Sequence, residues 1–237
     1  MNGESGDERD RERPRSTNRY SIYVGLAFLV LIAVATYNTF RTEGGGVLGG
    51  DSAEVGEALS EFAVPELIGG ADADANVFQD NCSSSANPCP ADDQRTPACE
   101  VDLPRVLRVC DFFDKPLVIS FWFSTPSDCP PTQDAVNAAA ERWRGKVNFL
   151  SIAVRGDRDE LERIVEQRGW TLPIGWDRDG AVSNLYRVGV CPTVAFVRTG
   201  GVLEQARIGS DELERAQLDS DIRRLIASSR RLASNPR

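Results

Sequence analysis

Six cysteines, Cys82, Cys89, Cys99, Cys110, Cys129 and Cys191, are the side chains best able to do redox or nucleophilic chemistry in this 237-residue sequence, which contains no histidine. Without imidazole there can be no Ser-His-Asp triad, no Cys-His nucleophile pair and no histidine metal ligand. The first four cysteines are spaced by 7, 10 and 11 residues, and none belongs to a Cys-x-x-Cys knuckle. That pattern favours structural disulfides over zinc, and neither a metal nor an external cofactor is expected. Four cysteines allow three connectivities; in one, Cys99 and Cys110 flank a turn near Asp102-Leu103-Pro104, which would leave Cys82 to pair with Cys89. Cys129 and Cys191 stand alone, each directly before proline.

The position of the cysteines fixes the compartment they need. All six follow an uncharged run of 21 residues, Tyr20 to Phe40. As a helix this run reaches about 31 Å, enough to cross a bilayer core. Five arginines (Arg9, Arg11, Arg13, Arg15 and Arg19) precede it and only Arg41 follows closely. The positive-inside rule therefore places residues 1–19 in the cytoplasm and everything after the span outside, where disulfides persist. A cleaved signal peptide is the alternative, since Ala33-Val34-Ala35 resembles a cleavage site. The long polar tail and the length of the run favour an anchor. The net charge is −9, and between Thr42 and Gln94 there are eleven acidic residues and no basic one. Such a chain is a poor nucleic-acid binder, and this stretch is repelled by anionic headgroups.

These features predict a cytoplasmic tail (1–19), a transmembrane helix (20–40), an acidic flexible linker (41–80) and a cysteine-containing extension (81–98). A globular domain (99–228) and a short C-terminal tail (229–237) complete the chain. Within the domain, Val106–Val109 reads as a short strand. Leu117–Phe123 and Val147–Val154 are continuous apolar runs, as in strands buried on both faces. Between them, Pro130 and Pro131 suit the first turn of a helix that carries Val136, Ala139, Ala140 and Trp143 on one face. A second helix is predicted over 157–168. A turn at Asp177–Gly180 leads into a short helix through Tyr186. Thr193–Val197 and Val202–Ile208 form a hairpin around Thr199-Gly200-Gly201, and a last helix starts near Asp211. The order β-α-β-α-β-β-α implies an α/β domain, a central mixed sheet with helices on both sides.

This order, with the local sequences LRVCDFFDKPLVISFWF (107–123), DRDGAVSNLY (177–186) and VGVCPTVAFV (188–197), resembles the thioredoxin-like fold. More closely, it is similar to the membrane-tethered bacterial redoxins of the TlpA and ResA type. Those proteins carry W-C-x-x-C directly after this strand. Here the place is taken by FWFSTPSDCPPT, with a single cysteine. Aligned without gaps, Cys129 takes the second, resolving position; with a three-residue insertion, Cys129-Pro130-Pro131-Thr132 takes the place of the motif and Cys129 becomes the nucleophile. Paired prolines at a helix start favour the insertion.

The resemblance implies that Pro192 is the family's cis-proline and that Cys191 therefore faces the Cys129 loop. A redox couple across the groove follows, with Cys129 as nucleophile beside a helix N-terminus and Cys191 as resolving thiol. Trp122, Pro192 and Thr193 would then line the substrate side, and the cis-proline strand would hold an extended peptide. Ser120 replaces the buried aspartate of cytosolic thioredoxins. The implied activity is thiol–disulfide exchange with extracytoplasmic protein thiols or disulfides. Two other readings stand beside it. In one, the fold is a non-catalytic docking module of the cell envelope stapled by Cys129–Cys191. In the other, Cys129 is a thiol peroxidase centre, since Thr125-Pro126 before it is similar to the T-P-x-C of some peroxiredoxins.

Overall fold

The computed structural model describes residues 23–25, 27–30, 32, 55–77, 83–84, 87–88, 96–125, 129–209 and 215–234. The chain divides into two compact units, Met1–Gly44 and Gly45–Arg237. In the first, residues 23–25, 27–30 and 32 are helical. The 1–19 tail and much of the 20–40 span lie outside the described residues. Among the described residues no helix is long and apolar enough to cross a membrane.

The second unit is built around β5 (Leu117–Trp122), all six residues of which are buried. A strand with no polar face must sit in the middle of a sheet covered on both sides, and β5 does. It pairs in parallel with β6 (Asn148–Val154) and antiparallel with β8 (Thr193–Arg198). β7 (Ile174–Asp177) extends the parallel side and β9 (Val202–Ile208) the antiparallel side, giving the order β7-β6-β5-β8-β9. Parallel neighbours need crossovers, which are α1 (Cys129–Arg142) and α2 (Arg158–Arg168). Asp157 caps α2 by accepting a hydrogen bond from Glu160 N at 3.0 Å, and Gly169 ends it at φ 65°. α3 (Ala181–Leu185) precedes the β8–β9 hairpin, and α4 (Arg215–Ser234) ends the described chain. Side chains of α1, α2 and α4 share one core cluster with Val118, Trp122 and Val194. Val182 of α3 and Tyr186 lie in the second cluster, with Leu117, Ile119 and Phe121. Helices therefore cover both faces.

Three boundaries differ from the sequence reading. β7 was not expected: at four residues, Ile-Gly-Trp-Asp, it is too short and irregular to show a period. α4 runs through Ser234, past the tail expected from 229. The largest correction concerns the 41–80 linker. Within it, residues 55–77 are packed into the domain. Ala63–Pro65 form β1, antiparallel to β4 (Val106–Arg108). Phe62, Val64 and Leu67 are completely buried, and Leu59 nearly so. The Tyr186 ring packs 5.6 Å from Phe62 and 5.7 Å from Phe121, and its hydroxyl donates to Ser60 O. Arg158 latches the same segment from α2. Its guanidinium donates to Leu67 O at 2.6 and 2.9 Å and to Gly70 O at 2.9 Å, and it lies 5.1 Å over the Trp176 ring. Gly175 leaves room for Val64, whose Cγ2 would collide with a Cβ there. Two-residue strands β2 (Ser83–Ser84) and β3 (Asn87–Pro88) pair with each other. Cys82 and Cys89 lie outside the described residues.

Asp177, from the DRDG turn, is buried at the end of β7 and accepts hydrogen bonds from Val182 N (3.0 Å) and Ser183 N (2.8 Å), fixing the start of α3. Burial pushes its carboxyl above the ordinary carboxylate value despite these backbone donors. A pKa raised in the folded state means the fold holds this proton more tightly than the unfolded chain does. The associated stability is complete below the unfolded pKa, about 3.9, and is lost as pH rises through the folded value. Asp177→Asn removes that titration. The stability advantage of the natural chain over this variant is therefore larger near pH 4 than at neutral pH. Urea unfolding of both chains at the two pH values tests this, and a pH-independent difference refutes it.

Candidate functional site

The sheet register brings the two isolated cysteines together. Phe121, next to the end of β5, pairs with Thr193, the first residue of β8. The chain leaving β5 and the chain entering β8 therefore meet at one end of the sheet. Cys129 is the first residue of α1 as described, followed by Pro130 and Pro131 in the first turn, where an N–H has no helical partner. Residues 126–128 lie outside the described residues. Cys191 immediately precedes Pro192, and the peptide bond between them is cis. Cys129 and Cys191 form a disulfide, with Cα atoms 5.6 Å apart, inside the usual range for such a bond.

The two sulfurs sit in different surroundings. Cys129 is fully buried (0 % exposed) within the core cluster that contains Trp122, and Phe123 N–H donates to its Sγ at 3.1 Å. Cys191 is half-buried and follows the exposed Gly189 and Val190. In the chain that leaves β5, Phe123 and Ser124 are half-buried and Thr125 is exposed.

Of the residues expected on the substrate side, none presents its side chain to solvent. Trp122 is 0 % exposed and stacks edge-on against Trp170, 5.0 Å between centroids. Trp170 Nε1 in turn donates to Asp134 Oδ1 at 2.7 Å, whereas Trp122 Nε1 is buried without a partner. Pro192 is buried. Thr193 is fully buried and donates from Oγ1 to Val190 O at 2.8 Å, which holds the loop carrying Cys191. These three shape the site from behind. The accessible apolar contacts, Val190 and Phe123, were not singled out in the sequence. The signal was present, since each adjoins or lies near a cysteine at a strand end.

Two further polar groups lie on the central strands. Ser120 Oγ, at the position that resembles the thioredoxin aspartate, is buried and has no hydrogen-bond partner. Ser120 pairs with Ser151 across the strands, and Gln133 Nε2 donates to Ser151 Oγ at 2.9 Å. None of the three ionises near neutral pH, so this layer offers no general base. Elsewhere, Cys99 and Cys110 are bonded to each other, with Cα atoms 5.9 Å apart. Glu61 lies within 4.8 Å of both sulfurs, but bonded sulfurs offer no thiolate to a metal.

Known proteins share the fold. The chain is 24% identical over 119 residues to the thiol-disulfide oxidoreductase ResA of Oceanobacillus iheyensis, covering 50% of this chain and 62% of that protein. It is 27% identical over 112 residues to ResA of Geobacillus kaustophilus, covering 46% and 64% respectively. It thus spans under two thirds of the length of these relatives. A crystal structure from Chlorobium tepidum, described as a thiol:disulfide interchange protein DsbE, superposes with a TM-score of 0.54 at 14% identity, over 74% of this chain and 99% of that one. No protein-family model matches the chain. In fold and sequence the chain is similar to the thioredoxin-like redoxins of the ResA type.

Proposed function

We propose that the chain is a thiol–disulfide oxidoreductase whose working couple is Cys129–Cys191 in place of a Cys-x-x-Cys dithiol. The observation that carries this reading is the disulfide itself, which joins buried Cys129 at a helix N-terminus to half-buried Cys191 before Pro192. The name shared by the ResA relatives supports it. In the oxidising direction, a thiolate of a partner protein attacks one sulfur of the pair, and the Cys129–Cys191 bond breaks. The partner's second thiolate then attacks the mixed disulfide. The partner gains a disulfide; the chain takes up two electrons and two protons as a pair of thiols. The reverse sequence reduces a partner disulfide. The thiolate is the reactive form in every step.

The run at 20–40 would anchor the domain outside the cytoplasm, where protein disulfides persist and partners with thiols or disulfides are found. Complete burial of Cys129 favours a second reading, a stapled docking module without turnover. A fluorescent peptide carrying two cysteines separates the two. Oxidation of this peptide by the oxidised full chain, sustained when a glutathione buffer regenerates the disulfide, supports exchange. No oxidation above the buffer alone, with the pair intact by mass spectrometry, supports the module.

A further inference from the structure

We infer that Cys191 is the sulfur that becomes covalently joined to the partner, and that Cys129 is the leaving group. This rests on the exchange function proposed above and reverses the order implied by the family resemblance, in which Cys129 attacks. The order follows from access. A thiolate attacks a disulfide in line, on the side of one sulfur opposite the other. Cys129 is 0 % exposed, inside the cluster of Trp122, Val136 and Val194. No incoming thiolate can reach it without opening the core. Cys191 is half-buried and follows the exposed Gly189 and Val190. Of the two cysteines, only Cys191 reaches the surface.

The leaving side is equally specific. When the bond breaks, the electron pair goes to Cys129 Sγ. Phe123 N–H already points at that atom from 3.1 Å, and it sits at the start of the 14-residue helix α1. Both features stabilise a thiolate, and a leaving thiol of lower pKa departs faster. The product is a mixed disulfide between the partner's cysteine and Cys191, with Cys129 held as a thiolate beneath it. The partner's second thiolate then attacks the partner's own sulfur and releases Cys191. In the reducing direction, the Cys191 thiolate attacks the partner disulfide and Cys129 resolves the adduct from below. Val190, 47% exposed and immediately before Cys191, is the apolar surface that such a partner meets first. Its backbone oxygen is fixed by Thr193 Oγ1.

The test uses the oxidised full chain. Reduced glutathione is added, the reaction is quenched with acid within its first turnover, and the adduct is mapped by mass spectrometry. Glutathione on Cys191 with Cys129 free is the expected result. Adducts on Cys129, or equally on both, overturn the inference while leaving exchange itself intact. No adduct on either cysteine, with the disulfide unbroken, overturns the exchange reading and this inference with it. Two variants give a second measurement. With oxidised glutathione, reduced Cys129→Ser forms its mixed disulfide about tenfold or more faster than reduced Cys191→Ser, because only the former keeps the accessible thiol. Thermal unfolding of both shows whether they fold. Equal rates in two folded variants contradict the assignment, and if either variant fails to fold, the mapping on the natural chain decides.

Discussion

Replacing either Cys129 or Cys191 with serine lowers turnover of a dithiol peptide by about a hundredfold or more, to the level of the redox buffer. Each half of the couple is needed: with one sulfur there is no bond to break and no thiol to resolve the adduct. Removing the other described disulfide, by Cys99→Ser with Cys110→Ser, has a different outcome. Those residues are 11 apart in sequence, and opening so small a loop costs about 3 kcal/mol of stability by chain entropy. Turnover per folded molecule should be unchanged. The contrast is read by assaying all three chains at a temperature where each is folded. Turnover by Cys191→Ser at the natural rate would rule out the two-cysteine couple.

Removing residues 1–80 should abolish the cooperative fold, whereas removing residues 1–44 should leave it intact. Division of the chain at Gly44 coincides with the end of the first compact unit. The longer deletion takes away Leu59, Phe62, Val64 and Leu67, all buried in the domain. At about 1.5–3 kcal/mol for each buried side chain, the loss is roughly 6–12 kcal/mol. That is comparable to the whole stability of a typical domain. It also exposes Gly175 and the Tyr186 ring, now covered by Val64 and Phe62. Far-ultraviolet circular dichroism during heating distinguishes the two fragments. A fragment 81–237 that melts cooperatively within a few degrees of 45–237 would show that the 55–77 segment is dispensable.

The central sheet was readable because β5 and β6 are continuous apolar runs, and because proline and glycine mark the adjoining turns. The β8–β9 hairpin was readable from Thr199-Gly200-Gly201. The 55–77 segment was misread because its acidic composition masked four apolar positions. Phe62, Ala63 and Val64 are all buried, so the short strand β1 shows no alternating period. β7 carried too few residues to show any period. The meeting of Cys129 and Cys191 is a property of sheet register across 62 residues of sequence, and local pattern does not encode it; the expectation came from the resemblance around Pro192. The unequal burial of the two sulfurs was not legible either. Both are single cysteines before proline, and only packing against Trp122 and α1 separates them.

The reduction potential of the Cys129–Cys191 pair in the full chain tests the account most directly. The chain is equilibrated with graded glutathione or dithiothreitol buffers, free thiols are trapped, and each cysteine is quantified by mass spectrometry. As a staple across 62 residues, the disulfide would stabilise the fold by about 4 kcal/mol, equivalent to lowering its potential by about 90 mV. A working couple needs the opposite bias, and Phe123 N–H with the start of α1 supplies it by stabilising the Cys129 thiolate of the reduced state. The account predicts that the pair opens near about −200 mV, in the range of exchange catalysts. A pair that stays closed below about −300 mV, as structural disulfides do, would contradict it.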